Sequence, residues 1–175
     1  MRKLLLTIAT SALMATGAIA ADPVITVDPA YVEPSTGFDW DGFYMGVGLS
    51  GSSLSNGIVT DTTGYLDLIA GFNVTSGDML FGLEGWVGAY SDGTNSGWSG
   101  GAEVRAGYLI SPDALLYVSG GAQFYDAGAR YATLGAGAEF AATDNLTLDV
   151  EYKYWGWSNN GFTGHSLGLS ALWHF

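Results

Sequence analysis

His165 and Ser166 form the one place where this chain sets a base directly beside a nucleophile, and His174 is its only other histidine. Acyl transfer by a serine requires a histidine within hydrogen-bond reach. On an extended strand, neighbouring side chains point to opposite faces. His165 and Ser166 are therefore held apart, and only a spacing of two would return them to one face. His174, next to Trp173, reads as an interfacial polar residue. Metal chemistry has even less to work with. There is no cysteine and no His/Cys cluster, and the acids of Asp92-Gly93-Thr94-Asn95 and Asp126 lack the spacing of a calcium loop. The expectation is a protein without catalytic residues, cofactor or bound metal.

What remains is charge, and the charges obey a parity. Asp67, Glu84, Glu103, Arg105, Glu139, Asp149, Glu151 and Lys153 fall on the same alternate positions as Gly46, Gly48, Ser50, Gly71, Gly82, Gly107, Ser119, Gly121, Gly135 and Gly137. The opposite parity carries Phe43, Met45, Val47, Leu49, Leu66, Leu68, Leu83, Val87, Val104, Val118, Leu134, Leu148 and Val150. Period two means strands with one apolar and one polar face. A soluble β-sandwich would turn its charges outward. Here they must turn inward, because an Arg or Lys facing lipid near the bilayer midplane costs about 2–4 kcal/mol.

The alternating segments number eight: 42–52, 64–74, 79–91, 98–110, 115–125, 130–141, 146–157 and 164–175. Each is about the 9–11 residues, or slightly more, that a tilted strand needs to cross hydrocarbon. Aromatic residues cluster at the segment ends, as the two interfacial girdles of a barrel require. The fold expected is all-β, an eight-stranded antiparallel up-and-down transmembrane β-barrel. An even strand number puts both termini on one side, the periplasm. Short turns at 74–78, 111–114 and 142–145 then face the periplasm, and loops at 53–63, 92–97, 126–129 and 158–163 face outward, with 53–63 the longest.

Upstream of the barrel two further zones are distinct. Arg2 and Lys3 precede an apolar run that ends in Ala18-Ile19-Ala20, the pattern of a signal peptide over 1–20. Residues 21–41 carry Pro23, Pro29 and Pro34 among five acids and read as a flexible acidic periplasmic tail. The barrel takes 42–175. Net charge is −12 for the whole chain and −14 once Arg2 and Lys3 are removed. That excludes nucleic acid as a partner.

An eight-stranded interior is just wide enough for side chains to fill. Pairing of strands three and four places Arg105 near Glu84 and Glu103, while Glu139 faces Asp149, Glu151 and Lys153. Two ion-pair clusters follow, with six inward carboxylates against two inward cations. A buried, unpaired carboxylate is costly, so some of the acids must be hydrated or protonated. Two functions stay open: a closed structural barrel, supported by inward Tyr44, Trp86, Tyr90, Tyr117, Tyr125 and Trp155, or a narrow cation-preferring porin in which the inward glycines leave a thin wet path. The polar-aromatic loop tips, 52–57 and 155–162, are where surface recognition would occur.

Trp40-Asp41-Gly42-Phe43-Tyr44-Met45-Gly46, Phe81-Gly82-Leu83-Glu84-Gly85, Leu115-Leu116-Tyr117-Val118-Ser119-Gly120-Gly121-Ala122 and Gly135-Ala136-Gly137-Ala138-Glu139-Phe140 resemble the porin-like, opacity-protein type of OmpA-like outer-membrane barrel. Thr143-Asp144-Asn145-Leu146-Thr147-Leu148, Glu151-Tyr152-Lys153-Tyr154 and the terminal Phe175 extend the likeness over almost the whole chain after residue 20. The resemblance implies a Gram-negative outer membrane and insertion by the barrel-assembly machinery. That machinery would read the outward set of the last strand, Leu167, Leu169, Ala171, Trp173 and Phe175. It implies outer-membrane lipids and lipopolysaccharide as surroundings, transient export factors and a monomer. Lipid A deacylases of similar size carry His-x-Ser, which this chain lacks.

Overall fold

A computed structural model describes residues 37–175. The expected signal peptide, 1–20, and most of the expected tail lie outside the described residues. Eight strands follow one another: β1 (Gly42–Ser55), β2 (Thr60–Ser76), β3 (Met79–Ser91), β4 (Ser96–Ser111), β5 (Ala114–Tyr125), β6 (Arg130–Thr143), β7 (Leu146–Gly156) and β8 (Thr163–His174). Each pairs antiparallel with its neighbour in sequence, and β1 pairs with β8 from Tyr44↔His174 to Ser55↔Thr163. The sheet is a closed barrel, so no strand edge is left along the ring.

The outward face is apolar along every strand. Leu49, Leu66, Leu68, Leu83, Val104, Val118, Leu134, Leu148, Leu167 and Leu169 are all exposed, an inside-out pattern for water but the natural one for lipid. Two-residue turns at 77–78, 112–113 and 144–145 mark one end. Gly77, at φ +62, takes the left-handed conformation that the first of these turns needs. Longer loops mark the other end. The barrel thus has a turn end and a loop end.

The strands outrun the expected segments chiefly at the loop end. The expected long loop, 53–63, shrinks to 56–59, because Ser53↔Thr62, Leu54↔Asp61 and Ser55↔Thr60 continue the β1–β2 ladder. Beyond the apolar belt, hydroxyl side chains tolerate water on both faces, so nothing in the sequence stops the pairing. The longest connection at this end is instead 157–162.

The last residues of the expected flexible tail are also ordered. Phe38 N–H donates to Asp113 Oδ1 at 3.1 Å, and the Trp40 indole donates to Pro112 O at 2.9 Å. Asp41 accepts from Thr75 N–H at 2.5 Å and from Thr75 Oγ1 at 2.6 Å. Trp40 is buried, and Phe38 packs edge-on against it with ring centroids 4.8 Å apart. The apolar end of the barrel supplies the burial that these residues cannot find in an isolated tail.

Candidate functional site: the barrel interior

Three apolar layers divide the lumen. At the turn end Trp40, Leu80, Leu115 and Tyr117 pack together with Phe38 and Leu109. In the middle lie Tyr44, Ile69 and Leu172, against Trp86. Near the loop end Leu54, Tyr65, Tyr131 and Trp155 meet Tyr90, Tyr125 and Phe162. Parity foretells each of these positions: Leu80 shares the face of Glu84, Ile69 that of Asp67 and Leu172 that of His174, beside the inward aromatics already expected.

Three inward glycines are sockets for aromatic rings. A Cβ at Gly71 would lie 2.2 Å from the Tyr44 ring, one at Gly137 would lie 2.4 Å from Tyr117, and one at Gly101 would lie 2.4 Å from Trp86. Each aromatic ring lies over the bare backbone of a nearby strand, which only glycine permits.

Between the layers sit the charges, all eight of the expected residues facing the lumen. Their pairing differs from the expected one. Arg105 Nη1 meets Glu139 Oε2 at 2.9 Å and Glu84 Oε2 at 3.8 Å. Lys153 Nζ meets Glu103 Oε2 at 2.8 Å and Glu151 Oε2 at 2.9 Å. Glu103 and Glu139 have thus exchanged partners relative to the sequence reading. Glu84 and Glu103 are register partners on β3 and β4, yet the long cations reach across the lumen as well as along neighbouring strands. Pairing by register alone cannot foresee a contact across the barrel.

Hydrogen bonds complete the two clusters. The Arg105 guanidinium donates through Nε to Asn73 Oδ1 at 3.2 Å and lies against the rings of Tyr44 and Tyr117, 4.8 and 5.3 Å from their centroids. Tyr44 donates to Glu84 at 2.7 Å, Tyr117 to Asp149 at 2.8 Å and Ser119 to Glu151 at 2.6 Å. Lys153 Nζ sits 4.3 Å from the centroid of Trp86. Asp67 Oδ1 has no protein hydrogen-bond partner, and Asp67 lines a cavity of about 60 Å³ with Glu84, Trp86, Glu151 and Lys153. A polar space of that size holds a few waters.

The two histidines part company. His165 faces outward, stacks on Tyr152 and hydrogen-bonds its hydroxyl, whereas Ser166 faces inward and accepts from Trp155 Nε1 at 2.8 Å. His174 is not interfacial. It is buried, stacked on Tyr44 at 5.3 Å between centroids, with Nε2 3.3 Å from Glu139 Oε1 and 3.2 Å from Thr147 Oγ1. Thr147 already spends its hydroxyl proton on Glu139 at 2.6 Å, so Nε2 of His174 is the donor. Residue 174 is the last of β8, and its even number gives it the inward parity of Ser170 and Leu172. Among the described residues no three His, Cys, Asp or Glu side chains are arranged to hold a metal ion.

A closed ring of eight strands, apolar without and charged within, defines a small transmembrane β-barrel. The chain belongs to the outer membrane protein beta-barrel domain family, whose model matches residues 8–175, and it is an outer-membrane barrel protein. It is similar to a 22 kDa outer membrane protein of Rhizobium leguminosarum bv. viciae, 29% identical over 66% of this chain and 63% of that one. The chain therefore spans less than two thirds of that relative's length. It is also similar to a 25 kDa outer-membrane immunogenic protein of Brucella canis, 28% identical over 77% of this chain and 73% of that one. Among solved structures, Neisserial surface protein A shares the fold with TM-score 0.58 at 17% identity, covering 77% of this chain and 97% of its own. The attachment invasion locus protein Ail of Yersinia pestis does so with TM-score 0.56 at 14% identity, covering 77% and 99%.

Proposed function

We propose that this protein is a closed structural barrel of the outer membrane, without a large pore and without enzymatic activity. The observation that carries the reading is the filling of the lumen: apolar layers at both ends, aromatic rings seated on inward glycines, and a cavity of only about 60 Å³ between them. Such an interior stiffens the barrel through its packed layers and the ion pairs and hydrogen bonds between them. The turn end faces the periplasm: the even strand number puts both ends of the described chain on one side, and short turns are typical of the periplasmic rim of such barrels. Lipid and lipopolysaccharide surround the apolar belt of a monomer. The barrel-assembly machinery and export factors are the transient partners, with Leu167, Leu169, Ala171, Trp173 and Phe175 as the outward signal of the last strand.

The competing reading is a narrow cation-preferring porin. It is favoured by the excess of lumen carboxylates over Arg105 and Lys153 and by the acid-lined cavity. Single-channel recording in planar bilayers separates the two. A closed barrel shown to be folded gives no steps, whereas reproducible cation-selective steps that fade as the pH falls would establish the porin.

A further inference from the structure

The loop end of the barrel holds a second cavity that the closed-lumen reading leaves unused. It is a cleft of about 150 Å³ bounded by the loop-end apolar layer, lined by Tyr65, Tyr90, Tyr125 and Tyr131, with Asp61 and Asp92 also on its lining. The rings pack on one another, edge to face for Tyr90 and Tyr125 and for Tyr125 and Tyr131, with centroids 5.1 and 5.8 Å apart, and tilted for Tyr65 and Tyr90 at 6.3 Å.

The hydroxyls of these tyrosines are already engaged. Tyr65 is bonded to Ser52 at 3.0 Å and to Tyr125 at 2.7 Å. Tyr131 accepts from Asn160 Nδ2 at 2.8 Å, and Tyr90 donates to Asp126 Oδ1 at 3.2 Å. These bonds fix the rings in place, and a visitor meets the partly exposed rings of Tyr90 and Tyr125 and the exposed carboxylate of Asp61, since the Asp92 carboxylate is held by Thr94 and Asn95. Ring faces attract cations through their quadrupole, and the acids repel anions. No cation of the described chain meets this demand: Arg105 and Lys153 are committed inside the lumen, and Arg130 alternates with the inward Tyr131 and is exposed.

We infer that this cleft binds an alkylated ammonium group, of the trimethylammonium type, entering from the loop end. A group that makes no directional hydrogen bonds suits a site whose hydroxyls are taken. The cleft is smaller than the roughly 300–1,000 Å³ that drug-sized ligands occupy, so it takes a head group rather than a whole large molecule. The floor of the cleft is formed by Leu54 and Tyr131 of the loop-end apolar layer.

The test uses the purified protein in a detergent without choline groups, with choline as the probe and 3,3-dimethyl-1-butanol as its uncharged isostere. Binding is read by saturation transfer to the ligand methyls and by titration, with heat-modified gel mobility verifying that each variant is folded. Choline is expected to bind about tenfold or more tightly than the isostere. Tyr90→Leu should weaken choline about threefold to fivefold, the scale of one ring at a partly exposed site. Tyr90→Phe should keep the affinity, and Asp61→Asn should lower it about twofold to threefold, as expected for one partly screened carboxylate. Equal binding of the isostere, no binding of choline, or folded Tyr90→Leu and Asp61→Asn variants with unchanged affinity would each overturn the inference.

Discussion

Replacing Arg105 by Met tests the pairing inside the barrel. The guanidinium touches Glu139 at 2.9 Å and Glu84 at 3.8 Å, all three groups are buried, and its plane is held by Asn73 and two tyrosine rings. Methionine keeps much of the volume but leaves both carboxylates without their cation. Removing one partner of a buried pair costs about 3–5 kcal/mol, most of it the penalty of the charge left behind. With a urea dependence of about 2 kcal/mol per molar, the midpoint of unfolding in detergent micelles should fall by about 1.5–2.5 M. The second half of the experiment identifies the partner. Adding Glu139→Gln to Arg105→Met should recover about half or more of the loss, since it removes the uncompensated charge while keeping a polar group for Thr147 and His174. Adding Glu103→Gln should recover nothing, because Glu103 belongs to Lys153. A midpoint unchanged by Arg105→Met, or rescue by Glu103→Gln in place of Glu139→Gln, would refute the assignment.

Three other perturbations probe different parts of the molecule. Gly137→Ala places a methyl 2.4 Å from the Tyr117 ring and should destabilise by about 1–3 kcal/mol, with Tyr117→Leu relieving the clash when the two are combined; equal stability of Gly137→Ala and wild type in urea would deny the socket. Leu169→Arg, on the exposed face of β8, should cost about 2–4 kcal/mol in folding into lipid vesicles if this face meets the hydrocarbon, and a barrel that folds as readily as wild type would place the bilayer elsewhere. At the tip of the β3–β4 hairpin, the backbone N–H groups of Asn95 and Thr94 hold the Asp92 carboxyl below the usual aspartate range. A lowered folded value means that the loop contact is present above the ordinary aspartate pKa of about 3.9 and is lost as the pH falls through the lower, folded one. The amide signals of Thr94 and Asn95 should therefore shift with a midpoint below that of a free aspartate, and Asp92→Asn should abolish the transition.

Alternation in the sequence was enough to determine the class of fold, the number of strands and which side chains face in. Lipid outside and a narrow lumen inside impose opposite demands on successive residues, and that demand is written locally, every second position from Gly42 to Phe175. The positions of the charges were equally legible, since none of the eight lumen charges can sit on the lipid face. Tertiary structure alone decided which charges meet. Arg105 on β4 reaches Glu139 on β6, and Lys153 on β7 reaches Glu103 on β4, contacts that close across the barrel and depend on strand tilt and side-chain length rather than on register between neighbours. The same holds for His174, whose burial follows from the cage of Tyr44, Phe38 and Trp40 around it, and for Phe38 to Asp41, which find order only because the turn end offers a surface to cover. Local pattern fixes the face of a side chain; partners across a closed lumen exist only once the ring is shut.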